Sequence, residues 1–392
     1  MLTSLALVFL MGMAIGGLFK KIGIPSLLGM LITGMILGPY ALNLLDESIL
    51  GISAQLRQIA LIIILTRAGL SLDINDLKKV GRPAVLMCFV PACFEVLGMI
   101  LLAPKLLGIT ALEAAIMGAV VGAVSPAVIV PKMLKLMEEG YGVKKSIPQM
   151  ILAGASVDDV FVIVLFAAFT GLAQGQSVSA ASFLQIPVSI VTGIIFGAVC
   201  GYIMALFFRK IHIRDSAKVV ILLSVSFLMI TLEDGLKGIV PFSGLLAVMS
   251  IGLFLQKGRY ETAVRLSAKY SKLWVAAEIL LFVLVGATVD LSYALSEGGA
   301  AVLLIFGVLI FRMAGVFICM MGTGLNKKER LFCMIAYMPK ATVQAAIGGV
   351  PLAMGLSCGN VVLTVAVLAI LITAPLGAFG IDRTYKRWLS AN

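Results

Sequence analysis

Apolar runs of about twenty residues recur along the whole chain, and short polar connections separate them. Each run is continuous, which excludes a porin-like barrel, because the strands of such barrels alternate polar and apolar positions. The pattern predicts an all-α polytopic membrane protein with thirteen transmembrane helices. We expect these spans near 2–19, 24–40, 56–71, 83–104, 111–136, 147–172, 183–208, 217–234, 241–256, 272–290, 299–322, 329–354 and 359–381.

Basic residues divide the connections into two groups. Connections after odd-numbered spans are rich in lysine and arginine, whereas those after even-numbered spans hold few basic residues and several acids. The positive-inside rule then places the N-terminus outside and the C-terminus in the cytoplasm of a multi-pass protein, which we expect in the plasma (inner) membrane. Basic loops also account for the net charge of +11 without a nucleic-acid partner.

Charged side chains also occur deep within the apolar spans. A charge at that depth costs at least about 2.5–3.5 kcal/mol, so each one calls for an ion partner or a bound ion. These six buried charges are Glu95, Asp158, Asp159, Glu278, Arg312 and Lys340. Structural ion pairing between helices is one explanation for Glu95, Arg312 and Glu278, but it explains the adjacent aspartates poorly.

Two spans carry a proline near the centre, Pro126 in the fifth and Pro339 in the twelfth. A proline there frees a backbone carbonyl, and irregular backbone in a membrane is tolerated only against protein or a wet cavity. The two prolines lie seven spans apart, as do Glu95 and Arg312. This spacing predicts an inverted-topology repeat of spans 1–6 and 8–13, with two discontinuous helices crossing at the midplane.

The aspartate pair is the central candidate site. Asp158 and Asp159 are consecutive on a helix, so their side chains point about 100° apart and cannot share one proton as a dyad. We expect one to face the ion path and the other to face neighbouring charges, with Ser125 as a further ion ligand. Lys340 is expected to neutralise helix-end carbonyl oxygens. A carboxylate for which a proton and a small cation compete suffices for antiport.

Five stretches carry a resemblance to a known family: RAGLSLD at 67–73, GAVSPAVIVPKML at 122–134, GYGVKKSIPQMILAGASVDDV at 140–160, YMPKATVQAAIG at 337–348 and LTVAVLAILITAPLG at 363–377. Here the chain resembles the monovalent cation/proton antiporters, specifically the NHA-type sodium/proton exchangers in their short bacterial form. The resemblance implies a homodimer in which residues 1–392 form one transporter unit. It implies a dimerisation part at about 1–82 and 183–298 and a core part at about 83–182 and 299–392.

The resemblance also implies roles for individual residues. Asp158 and Asp159 would carry the cation, Na⁺, and the proton. Glu95 would pair with Arg312, so that loss of Arg312 would leave Glu95 buried and unpaired. Many relatives have a lysine where Arg312 falls, and a guanidinium is a poor proton carrier, which leaves electrogenic exchange open. Glu278 departs from the family pattern, which has no carboxylate there, and we expect it to be an additional cation contact on the cytoplasmic side.

The predicted function is secondary antiport of Na⁺, and also Li⁺, against H⁺ by alternating access, with membrane lipids as surroundings and no cofactor. K⁺/H⁺ exchange and cation-coupled symport of an organic anion are the alternatives. We expect no enzyme, because an intramembrane aspartyl protease needs two aspartates that face each other from separate helices. A channel would need a carbonyl filter or a charged ring, and the sequence has no obvious example of either.

Overall fold

The computed structural model describes residues 1–71, 81–174, 180–236, 240–289 and 291–391, and this part of the chain is almost entirely helical. An isolated bridge between Tyr141 and Ala391 is its one extended pairing. The helices are α1 (Leu2–Lys21), α2 (Ser26–Leu37), α3 (Glu47–Gly51), α4 (Ser53–Ser71), α5 (Arg82–Met87), α6 (Val90–Leu107), α7 (Ala111–Val121), α8 (Pro126–Glu138), α9 (Ile147–Ala173), α10 (Ala180–Lys210), α11 (Asp215–Leu236), α12 (Gly244–Gly258), α13 (Tyr260–Ala287), α14 (Leu291–Cys319), α15 (Lys327–Ala336), α16 (Thr342–Ile347), α17 (Val350–Ala353) and α18 (Gly359–Trp388).

Nine helical stretches within the described ranges are long and apolar enough to cross a membrane, which agrees with a multi-pass protein. Three shorter apolar helical segments, Ser26–Leu37, Gly244–Gly258 and Thr342–Ala353, lie within other predicted spans. Helix α4 covers the remaining one. The all-helical class is therefore confirmed, while thirteen crossings and the inverted repeat stay predictions.

Two of the predicted spans are interrupted near their prolines. In the fifth span, α7 ends at Val121 and α8 begins at Pro126, which occupies the first helical position, where its missing N–H is not needed. In the twelfth span, α15 ends at Ala336 and α16 begins at Thr342, so Pro339 lies within the non-helical stretch. A further break separates α5 from α6 at 88–89, and this one is not among our predictions.

Capping side chains begin the first helical half of each interrupted span. Thr110 and Glu113 form a reciprocal capping box at the start of α7, and Asn326 and Glu329 form another at the start of α15. Each box satisfies two backbone N–H groups that a helix start leaves without intrahelical partners. The interrupted spans therefore begin as ordinary capped helices and become irregular only at their breaks.

The chain forms two compact units. The first contains Met1–Arg57, Ile74–Ala173 and Ile279–Asn392, and the second contains Gln58–Asp73 and Gln174–Glu278. Both interrupted spans and the helices α6, α9 and α14 belong to the first unit. Its buried core includes a cluster around Met87, Ile151, Phe332 and Tyr337. The predicted division into dimerisation and core parts stays a prediction.

Glycines set the helix packing within the second unit. Gly193, Gly197 and Gly201 recur every four residues along α10, and a Cβ at each position would meet the backbone or first side-chain atoms of α12. Such a row of small residues lets two helix backbones approach closely, which is a common way to associate helices in lipid. A bulky side chain at Gly197 would therefore separate α10 from α12.

Candidate functional site

The two helix breaks are bonded to each other. The N–H of Ser125 donates to the carbonyl oxygen of Pro339 at 2.8 Å. From α16, the Gln344 amide donates to the carbonyl oxygens of Val121 at 3.1 Å and of Ala123 at 2.9 Å. These oxygens lose their helical donors where α7 ends, and their burial would be costly without new ones. The breaks therefore form one crossing whose freed carbonyls are satisfied by a side chain.

Arg312 of α14 ties this crossing to the buried carboxylates. Its guanidinium is fully buried and donates to Glu95 at 2.6 Å, to Asp158 at 2.9 Å and to the Tyr337 carbonyl at 2.7 Å. It also donates to the Gly122 carbonyl in the break of the fifth span. A guanidinium offers five N–H donors in a rigid plane, which suits four acceptors from different elements. Arg312 therefore joins α6, α9 and both breaks.

Lys340 has a different partner from the one that we expected. Its ammonium contacts the Glu95 carboxylate at 2.5 Å, and its backbone N–H donates to the Thr373 hydroxyl at 2.9 Å. The helix-end carbonyls that we assigned to Lys340 are bound by Arg312 and Gln344. A buried ammonium interacts more strongly with a full negative charge than with a carbonyl dipole, which explains the difference.

Glu95 therefore forms ion pairs with both Arg312 and Lys340, whereas Asp158 forms an ion pair with Arg312 alone among the described residues. The Asp158 Oδ2 atom accepts from Arg312 and from the Val124 N–H at 2.9 Å, so one edge of this carboxylate faces the break in the fifth span. Within the described residues, Asp158 Oδ1 has no hydrogen-bond partner, and neither has Asp159 Oδ1. Asp158 is fully buried and Asp159 is 8% exposed.

Other oxygen atoms near the crossing are also unsatisfied. Within the described residues, the side-chain oxygens of Ser125, Thr342 and Gln344 are buried without hydrogen-bond partners. Ser125 adjoins one break, and Thr342 and Gln344 begin the helix that follows the other. Hard cations prefer oxygen ligands. Ser125 was predicted as an ion ligand, whereas Thr342 and Gln344 were missed, although both follow Pro339 within a stretch that carries the family resemblance.

The charges of the cluster do not balance. The cluster contains three carboxylates, those of Glu95, Asp158 and the adjacent Asp159, and two cations, Arg312 and Lys340. It therefore carries one net negative charge when all five groups are ionised. One bound monovalent cation or one proton restores neutrality. The described residues hold no group of three histidine, cysteine, aspartate or glutamate side chains suited to a divalent or transition metal.

Glu278 lies in α13 and belongs to the second compact unit. Within that unit it interacts electrostatically with Arg67. Its expected contact with a transported cation stays a prediction. The structure thus brings together five of the six charges that the sequence predicts to be buried, and the sixth, Glu278, is only partly buried.

Comparison with known proteins identifies the family. The family model for the transmembrane part of sodium/hydrogen exchangers matches residues 5–386. The chain belongs to this family. The human sodium/hydrogen exchanger 9B2 is 35% identical over 374 residues, which cover 91% of this chain and 68% of that protein. The human sodium/hydrogen exchanger 9B1 is 32% identical over 372 residues, covering 91% of this chain and 70% of that protein.

A solved structure has the same fold. The sodium proton antiporter MjNhaP1 from Methanocaldococcus jannaschii, at pH 8, matches with a TM-score of 0.87, covering 99% of this chain and 98% of that one at 19% identity. Membership of the exchanger family confirms the resemblance and supports cation/proton antiport. The family is one of transporters rather than enzymes.

Proposed function

We propose that this exchanger transports Na⁺ in one direction and H⁺ in the other, with the two ions competing for Asp158 and Asp159. The observation that carries this proposal is the unpaired negative charge beside the crossed breaks. Asp158 and Asp159 each present a buried Oδ1 atom without a partner in the described structure. A bare carboxylate in that position binds a cation or a proton because either one removes the cost of an uncompensated buried charge.

Competition follows from the charge of the cluster. One Na⁺ or one H⁺ brings the five buried groups to neutrality, whereas both together would leave an uncompensated positive charge away from water. The site therefore holds either Na⁺ or H⁺ at any one time. It carries Na⁺ across the membrane in one direction and H⁺ in the other. This balance favours exchange of one Na⁺ for one H⁺, with no net charge movement.

The ligands that we propose for Na⁺ are oxygens from three elements. They are the free carboxylate oxygens of Asp158 and Asp159 on α9, the Ser125 hydroxyl at one break and the Thr342 hydroxyl after the other. Li⁺ would use the same oxygens, because it is also a hard monovalent cation. Glu95, Arg312 and Lys340 position the aspartates and are themselves paired. Alternating access, a homodimer and a plasma-membrane location with a cytoplasmic C-terminus complete the proposal.

The test uses purified protein in liposomes that contain a pH-sensitive dye. We expect Asp159→Asn to abolish Na⁺-driven proton movement while the protein still folds, because the amide cannot carry the exchanged charge. The control is Asp382→Asn, the same change at an exposed aspartate that pairs with Lys132. Normal exchange by Asp159→Asn would refute the assignment of Asp159 as an ion ligand. An equal loss of exchange in Asp382→Asn would show that the assay is not specific for the ion site.

Ion selectivity and stoichiometry need a second measurement. In the dye-loaded liposomes, jumps of Na⁺ and Li⁺ should give proton movement and jumps of K⁺ should give none. A response to K⁺ alone would favour the alternative of K⁺/H⁺ exchange. The same jumps on a solid-supported membrane should give no transport current, and a Na⁺-driven transport current there would refute one-for-one exchange while leaving the aspartates as ion ligands.

A further inference from the structure

A cavity of about 380 Å³ opens at one end of the first compact unit. Two connections form its wall. Lys144, Lys145 and Ser146 come from the connection between α8 and α9, and Thr323 and Gly324 come from the connection between α14 and α15. This cavity is apart from the ion site, since Ser146 precedes α9, whereas Asp158 lies three turns into that helix.

The wall of the cavity carries more positive than negative charge. Lys145 is held in place by the Glu329 carboxylate at 2.8 Å and by the Gly324 carbonyl at 3.2 Å. Glu329 is buried and also caps α15, so its charge is engaged within the protein. Lys144 is exposed and forms no ion pair among the described residues. The positive charge of Lys144 is therefore available to a ligand.

A further unsatisfied donor lies beside the same wall. Arg330 donates from Nη2 to the Thr323 carbonyl at 3.3 Å, and its Nε is buried without a hydrogen-bond partner in the described part of the chain. The two lysines that line the cavity, Lys144 and Lys145, together with the neighbouring Arg330 therefore outnumber the one carboxylate, Glu329, that contacts Lys145. A ligand that carries negative charge and several acceptor oxygens would balance this excess of positive charge.

The position of the cavity relative to the predicted membrane spans indicates which class of ligand could reach it. Both connections follow odd-numbered spans, which the distribution of basic residues assigns to the cytoplasm. The cavity lies where the apolar helices α9 and α14 meet their polar connections, and the ends of membrane-spanning helices are where lipid headgroups are expected. Basic residues at that depth attract the anionic phosphates of the cytoplasmic leaflet.

We propose that this cavity binds a phosphate group on the cytoplasmic face, carried either by an anionic phospholipid or by a soluble phosphate. Occupancy would bridge the connection that leads into α9, the helix of Asp158, and the connection that follows α14, the helix of Arg312. Because the bound state links two separate connections of the folded core, the ligand should stabilise that core against unfolding. The proposal does not depend on which ion the protein transports.

The test is a thermal-stability titration of the purified full chain in detergent. The probes are phosphatidylglycerol, phosphatidylcholine and inorganic phosphate, each added separately. We expect phosphatidylglycerol or inorganic phosphate to raise the melting temperature, and phosphatidylcholine to have little effect because it has no net charge. Lys144→Gln should raise the half-saturating concentration about tenfold, which is the loss of one charge-assisted contact. The control is Lys210→Gln, at an exposed lysine on the same predicted face but outside the cavity. This variant should leave the half-saturating concentration unchanged.

The arms of the experiment separate the sources of phosphate. Stabilisation by phosphatidylglycerol alone assigns the site to a lipid headgroup, and stabilisation by inorganic phosphate alone assigns it to a soluble ligand. If neither probe stabilises the unmodified protein, no phosphate site exists. Equal weakening by Lys144→Gln and Lys210→Gln would show general attraction to a basic surface, and this too would overturn the proposal.

Discussion

Replacing Arg312 by methionine tests how charge is distributed within the buried cluster. Methionine keeps an unbranched apolar stem in place of the arginine methylenes but removes all four hydrogen bonds of the guanidinium. Removing one partner of a buried ion pair costs about 3–5 kcal/mol, because the other charge stays buried without compensation. We therefore expect Arg312→Met to lower the free energy of unfolding by at least about 3 kcal/mol.

The structure also determines which carboxylate loses its cation. From the sequence we expected Glu95 to be left unpaired, and that is wrong, because Lys340 remains 2.5 Å from Glu95. Asp158 has Arg312 as its sole ion-pair partner within the described residues. Most of the loss should therefore come from Asp158, whose remaining contact at Oδ2 is the Val124 N–H.

A second substitution in the Arg312→Met background distinguishes the two carboxylates. Asp158→Asn removes the unpaired charge and keeps an acceptor for Val124, so it should recover about 0.5–3 kcal/mol, as coupled neighbours do. Glu95→Gln should instead destabilise further, because it leaves Lys340 buried without its carboxylate. Thermal unfolding of each purified variant in detergent, followed by tryptophan fluorescence, measures both effects. Recovery with Glu95→Gln and none with Asp158→Asn would refute this account of the cluster.

Three further substitutions test the supports of the site through thermal unfolding of the purified protein. Gln344→Leu should cost about 2 kcal/mol or more, since two carbonyls lose their donor, and unchanged stability would show that the breaks are not bonded in this way. Gly377→Ala should cost about 1–3 kcal/mol, because a Cβ there would press on the Pro339 ring; a neutral result would mean that the break can shift freely. Tyr385→Phe removes a 2.8 Å hydrogen bond to Glu139 away from the ion site and should cost only about 1 kcal/mol with normal exchange, so loss of transport would contradict its peripheral role.

Local chemistry was sufficient to predict the class of protein and two of the helix interruptions. Hydropathy marks a span wherever it lies in the fold, because lipid requires continuous apolar sequence. The breaks at 122–125 and 337–341 follow from a similar local rule, since a proline cannot donate the bond that continues a helix. The break at 88–89 escaped prediction although Pro91 follows it, because Cys88 and Phe89 are apolar and the hydropathy pattern continues through the break.

The pairing of the buried charges is a property of the tertiary structure. The sequence by itself indicated the five charges of the cluster, since each one interrupts an apolar run. It did not indicate that Arg57 and Glu329 are also buried, and Glu278 is only partly buried. The family resemblance supplied the Glu95–Arg312 pair, but the sequence did not indicate the contact of Lys340 with Glu95, which lies 245 positions away. Three cation–carboxylate contacts within one cluster also exclude simple one-to-one pairing. Nothing in the sequence distinguishes Gln344 from other polar residues, and only the fold brings its amide to the carbonyl oxygen at the end of α7. Hydrophobicity and proline act locally, whereas a buried charge depends on whichever groups the fold brings within a few ångströms.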